Sequence, residues 1–166
     1  MRTPIRKGGK YVHDKPDPNV TREKYEKLIS ELERLIKVKR PPAIKEVKRL
    51  ALMGDFSENV AYQMAKGRLR GMNQRILDLE EWLKGVKIID AKPNKNFVQL
   101  GNIVTVEVLG KTKIYKILGS SETDPEKNII SHNSPLGSVL MGRKASDVVK
   151  FQGPSRIIEY KIIKIE

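Results

Sequence analysis

The chain has 166 residues, 33 of them Lys or Arg and 20 Asp or Glu, giving a formal charge of +13; it has no Cys, and 5% of its residues are aromatic. That length holds one ordinary domain or two small ones, and no apolar run approaches the roughly 20 residues that a membrane-spanning helix needs. Disulfide scaffolds, Cys-based zinc sites and thiol catalysis are excluded, and with His13 and His132 as the only imidazoles a conventional hydrolase site is not expected.

Residues 1–20 contain five basic residues and three Pro with no apolar stretch. They do not form a secretory signal, and they predict a flexible basic tail on a soluble, cytoplasmic protein. Thr21 is then placed to cap a helix whose apolar residues Tyr25, Leu28, Leu32 and Leu35 recur at spacings of three, four and three. Pro41 and Pro42 interrupt the pattern, which resumes in a new phase at Ile44, Val47 and Leu50 or Ala51, as for a kink or restart. A second segment, Tyr62, Ala65, Leu69, Met72, Ile76, Leu79 and Leu83, keeps strict three-four alternation and asks for one partner helix. Only Gly54-Asp55-Phe56-Ser57 separates the two, which predicts a tight reversal and hence an antiparallel helical hairpin over about 21–85, in a domain running to residue 90. At about 1.5 Å per residue the arm is roughly 40 Å long, so it projects and displays its turn at a distal tip.

From Phe97 the period changes to two. Ile103, Thr105 and Glu107 alternate with Val104, Val106 and Val108, Gly110-Lys111 reads as a turn, and Ile114 to Leu118 as the returning strand. Ile129-Ile130, Val148 to Phe151 and Ile157 to Ile165 supply further strands, and Leu136 to Lys144 a short helix. Residues 96–166 thus predict a small β-rich α+β domain on a mostly antiparallel sheet. The charge is uneven: residues 1–95 hold 23 basic and 13 acidic residues, whereas 96–166 hold 10 and 7. An excess of +10 in the first part points to a polyanionic partner met there, nucleic acid being the usual one.

No phosphate-binding loop, dinucleotide fingerprint or HExxH pattern occurs. His132 beside Ser131 and Ser134 offers a base near hydroxyls, but sequence neighbours on a loop seldom have triad geometry. The informative place is the tip. Asp55 and Glu58 sit at i and i+3, a pattern with two readings: a capping box, with Asp55 as N-cap and Glu58 at N3, or two exposed carboxylates that donate oxygens to Mg²⁺, which needs few protein ligands and leaves the rest to water and phosphate. Behind the tip, Lys45, Lys48 and Arg49 on the way out and Lys66, Arg68 and Arg70 on the way back form a basic collar, fit either for solubility or for phosphates of a nucleic-acid end.

Gly54-Asp55-Phe56-Ser57-Glu58-Asn59 followed by Tyr62 resembles the G-D-x-x-E-N tip of the bacterial transcript-cleavage elongation factors GreA and GreB. Arg40-Pro41 and Asn133-Ser134-Pro135 match the same family in order, over about residues 20–166. The resemblance implies a coiled-coil arm that enters the secondary channel of RNA polymerase, and a C-terminal domain of FKBP-like fold that docks on the channel rim through Asn133, Ser134 and Pro135. It also implies that Asp55 and Glu58 help hold a Mg²⁺ in the polymerase's own active centre and stimulate cleavage of the RNA 3′ end in backtracked complexes. On this reading the protein lends metal ligands, binds no Mg²⁺ tightly by itself, acts as a monomer and is not an enzyme. Lys66, Arg68 and Arg70 fall in the family's basic patch, implied to meet the nascent RNA. Tyr62-Gln63 and Lys66 to Arg70 lean toward GreB without settling the subtype. Three features depart from the pattern: Ala61 stands where the family has an acid, Gly67 interrupts the basic run, and the first twenty residues lie outside the family core. Two rival readings are a channel-occupying modulator of polymerase without cleavage activity, and a nucleic-acid-binding coiled coil unrelated to polymerase, which would leave Asn133-Ser134-Pro135 unexplained.

Overall fold

The computed structural model describes residues 16–53, 59–89, 94–153 and 157–166. It has a helical hairpin followed by a five-stranded half-barrel, the α+β class read from the sequence.

The hairpin's outward run is α1 (Arg22–Arg34), one wide π turn (Leu35–Lys39) and α2 (Arg40–Ala51); α3 (Val60–Gly85) returns. Thr21 caps α1 as expected, its Oγ1 accepting the Lys24 N–H at 3.2 Å. The break expected at Pro41-Pro42 is moved upstream. Both prolines lie inside the first turn of α2, and the Arg40 N–H reaches back to Leu35 O across the π turn. Proline has no N–H to give, and its ring crowds the carbonyl four residues earlier. The wider turn over residues 35–39 accommodates the two prolines, and the helical run passes from α1 through it into α2 without interruption. The alternation along α3 faces α1 and the π turn: Leu28 and Leu35 pack against Ile76 and Leu79, with Leu32 and Met72 completing the seam. Arg75 crosses the hairpin to Glu31 at 2.9 Å. This pair is about half exposed, and such pairs contribute less than about 1 kcal/mol.

The segment expected as the last part of a tail is instead folded. Asn19–Val20 (β1) pairs in parallel with Lys87–Ile88 (β2), just past the end of α3, and Val20 is fully buried. A two-residue strand is too short to carry a period, so the charged, Pro-rich stretch read as tail. Residues 1–15, including His13, lie outside the described residues.

The half-barrel has strand order β5-β4-β3-β7-β6, from β3 (Ile103–Val108), β4 (Lys111–Leu118), β5 (Ile129–Ser131), β6 (Val148–Gln152) and β7 (Ile157–Ile165). All neighbours are antiparallel except β4 and β5. Val108 pairs with Lys111, so the tight turn is Leu109-Gly110, one residue before the predicted position. Period-two alternation puts Val104, Val106, Ile117 and Ile162 in one core with Leu140 from α4 (Pro135–Leu140). This helix is shorter than predicted because Met141 turns to extended backbone. The fully buried Asn102 is satisfied, accepting from Gln99 N and donating to the Asn94 and Glu166 carbonyls.

Candidate functional site

Asp55 and Glu58 lie outside the described residues, but both shoulders of the tip are defined. α3 begins at Val60, and its cap is Asn59, whose Oδ1 accepts the Tyr62 N–H at 3.0 Å. The Asn59 amide also donates to Leu50 O at 3.3 Å, fastening the end of α2 to the start of α3. This corrects the capping-box reading, since the residue that opens α3 is not Asp55. Asn caps a helix as well as Asp does, so the sequence offers two starts four residues apart. Among the described residues no three acids or imidazoles gather to hold a metal. The donor set at the tip is two carboxylates, hard oxygen ligands suited to Mg²⁺ and too few to enclose it. Leu52, Met53, Val60 and Met64 on the shoulders are 89%, 66%, 71% and 55% exposed. These apolar residues lie off the seam, so the helical spacing does not mark them.

The six residues of the expected basic collar, Lys45, Lys48, Arg49, Lys66, Arg68 and Arg70, are all exposed. They are not equivalent. Arg49 grips the Glu46 carboxylate with two nitrogens, at 3.0 and 2.8 Å. That hydrogen bonding holds the Glu46 carboxyl below its usual range, and Arg68, from the other helix, adds to the pull. Arg49 is therefore partly spent within the arm, whereas Arg68 acts on the Glu46 carboxylate from across the hairpin. Lys66 lies over the Tyr62 ring, 5.7 Å from its centre.

In the half-barrel, Asn133 on the loop after β5 and Pro135 at the first position of α4 are exposed, but the Ser134 side chain between them turns inward. Its Oγ accepts from Gly137 N at 3.0 Å and donates to Ser131 O at 2.6 Å, capping α4 and closing the loop. A Cβ at Gly137 would overlap Ser131 O, so this closure needs glycine there. Of the three residues expected to dock, two present themselves and Ser134 fixes their geometry. The hydroxyl-and-base constellation does not assemble. Ser131 Oγ bonds Ser120 Oγ at 2.8 Å, and the His132 Nδ1 faces Leu118 O and the Asp17 carboxylate.

Two family models cover most of the chain: the N-terminal domain of transcription elongation factors over residues 19–88, and the C-terminal domain of GreA/GreB elongation factors over residues 92–166. The chain belongs to the GreA/GreB family of transcription elongation factors. It is 40% identical over 149 residues to the transcription elongation factor GreA of Clostridioides difficile, covering 88% of this chain and 94% of that one. With GreA of Wigglesworthia glossinidia brevipalpis it shares 40% over 144 residues, covering 84% and 91%. These relatives are GreA factors, against the lean of the basic stretch toward GreB. Among solved structures, GreA factor homolog 1 of Thermus thermophilus aligns over 90% of this chain and 99% of its own with a TM-score of 0.42 at 24% identity. The GreA/GreB factor of Nitrosomonas europaea aligns over 89% and 97% with a TM-score of 0.40 at 17% identity. No helix among the described residues is long and apolar enough to cross a membrane.

Proposed function

We propose that this elongation factor passes its arm into the secondary channel of RNA polymerase and lends Asp55 and Glu58 to the polymerase active centre, stimulating cleavage of the 3′ end of backtracked RNA. The observation that supports it best is the cap of α3. Asn59 fills the N-cap of that helix by accepting the Tyr62 N–H, so the cap does not call on either tip carboxylate. Mg²⁺ bound there supplies charge stabilisation and a more acidic water for phosphodiester hydrolysis. The chain's own residues deliver and orient. The paired helices set the reach, the Asn59 bridge to Leu50 holds the two shoulders together, and Lys45, Lys48, Lys66, Arg68 and Arg70 meet RNA phosphates behind the tip. Asn133 and Pro135 bear on the polymerase rim. The factor acts in the cytoplasm as a monomer, and the polymerase remains the enzyme.

The test is to add purified factor to a stalled transcription complex carrying end-labelled RNA, across a Mg²⁺ titration. Wild type should shorten the RNA. Asp55→Asn and Glu58→Gln should abolish this while leaving polymerase pull-down and thermal unfolding unchanged. Asn133→Arg with Pro135→Arg should weaken the pull-down; Ser134 is left intact because its hydroxyl holds the loop. Cleavage by both tip variants equal to wild type at every Mg²⁺ level overturns the proposal, and binding without cleavage by wild type returns the protein to a modulator of the channel.

A further inference from the structure

The arm and the half-barrel meet through the short strap at residues 17–21, and Asp17 stands at the centre of that joint. Its side chain is 5% exposed. One carboxylate oxygen accepts the Ser120 N–H at 2.7 Å, and the other accepts the Asn19 N–H at 2.9 Å and the Asn19 amide at 3.0 Å. His132 Nδ1 lies 3.6 Å away. On the other side, the carbonyl of the same residue accepts the indole N–H of Trp82, near the end of α3, at 3.2 Å. From Ser120 the bonding continues without a gap. The Ser120 hydroxyl meets Ser131 Oγ, which accepts the Asn133 N–H at 3.0 Å, and the Ser131 carbonyl accepts the Ser134 hydroxyl. Two further fastenings flank it. Thr21 gives its N–H and hydroxyl to the Glu122 carboxylate at 2.7 and 2.6 Å. Gly119 lies so close to the strap that a Cβ there would overlap Asn19 O.

We propose that Asp17 is a positioning residue: through Trp82 on one side and Ser120, Ser131 and Asn133 on the other, it fixes the direction of the arm relative to the exposed Asn133-Pro135 face. A buried carboxylate held by two backbone N–H groups is short-ranged and directional, unlike an exposed ion pair. A tilt at the base is magnified along the arm, because a few degrees over about 40 Å displaces the tip by a few Å. A misplacement of about 1 Å at reacting groups can cost on the order of 100-fold in rate. The role in cleavage rests on the function proposed above; the role in orientation does not.

The chain has no Cys, so nitroxide labels can be placed uniquely at Val38→Cys on the arm and Val148→Cys on β6, both more than half exposed. Neither residue belongs to the tip, the collar or the docking loop. The distance distribution between the labels is read by double electron–electron resonance in the full chain, for Asp17 and for Asp17→Ala and Asp17→Asn. Alongside it, the maximal cleavage rate at saturating factor and the concentration giving half that rate are measured on the stalled complex. The expected result is a broadened distribution in both variants and a maximal rate reduced about tenfold, with thermal unfolding of the β-rich half unchanged. An unchanged distribution overturns the proposal. So does a broadened distribution with an undiminished rate. If Asp17→Ala fails to fold, Asp17→Asn carries the test, and failure of both to fold makes Asp17 a core structural residue and refutes the assignment. A wild type that binds polymerase without cleaving defeats the functional reading alone, since the distance measurement still decides the joint.

Discussion

Asn59 uses its two amide atoms for two different tasks, opening α3 with its oxygen and holding Leu50 O with its nitrogen. Replacing an Asn cap with Ala costs about 1 kcal/mol, and here the change also leaves Leu50 O without that donor. Asn59→Ala should therefore lower the thermal midpoint, as followed by helical circular dichroism, by more than Asp55→Ala does. If Asp55→Ala is the more destabilising of the two, the cap has been placed on the wrong residue. The sequence could not separate these roles, because Asp55 with Glu58 and Asn59 alone both satisfy helix-start chemistry. What was legible was that a polar residue had to cap near residue 55. Which one did so depended on where the reversal ended, and on an amide reaching nine residues back. Ser134 is a parallel case: its type fitted a docking loop, and its hydroxyl is used internally.

At the level of elements, the arm was readable because apolar spacing is a local property that survives in a two-helix seam. Leu28, Leu35, Ile76 and Leu79 meet as the spacing required. The π turn was not readable. Nothing in Leu35-Ile36-Lys37-Val38-Lys39 marks a wide turn except the two prolines that follow, and those predict a break as readily as an accommodation. α3 runs through Gly67 and Gly71, where an added Cβ would meet nothing within 4 Å. Since glycine in a helix interior costs about 1 kcal/mol relative to alanine, Gly67→Ala should stabilise the protein. The expected gain is a rise of about 2–4 °C in the thermal midpoint. A fall would mean that the open surface beside Gly67 is occupied in solution.

For the whole molecule, the decisive contacts are those of the strap, and they set a pH response. Burial pushes the Asp17 carboxyl up, but the N–H groups of Ser120 and Asn19 outweigh it and hold the group below its ordinary 3.8. A carboxyl depressed on folding stabilises the native state at pH values above 3.8 and loses that contribution as pH falls through its lower folded value. Trp82 is the single tryptophan and donates to Asp17 O, so its fluorescence reports the joint. Comparing wild type with Asp17→Asn, the emission difference should stay constant from neutral pH down to 3.8 and vanish below it. A difference that fades already at pH values well above 3.8 would contradict the sign. None of this joint could be seen in the sequence. The two halves, their class and their order followed from periodicity, but Asp17 and Ser120 are 103 residues apart, and nothing local relates them.

That separation has a consequence for how the protein is made. Asp17 leaves the ribosome early, yet its partner amide at Ser120 is synthesised 103 residues later, and Glu122 follows Thr21 by 101. At about 5–20 residues per second this is a wait of roughly 5–20 s. The arm can zip within that interval, because its seam closes on itself and needs nothing downstream. The first described segment to be translated is thus among the last to be seated, and a nascent chain halted before residue 120 would carry a finished lever with no bearing to hold it.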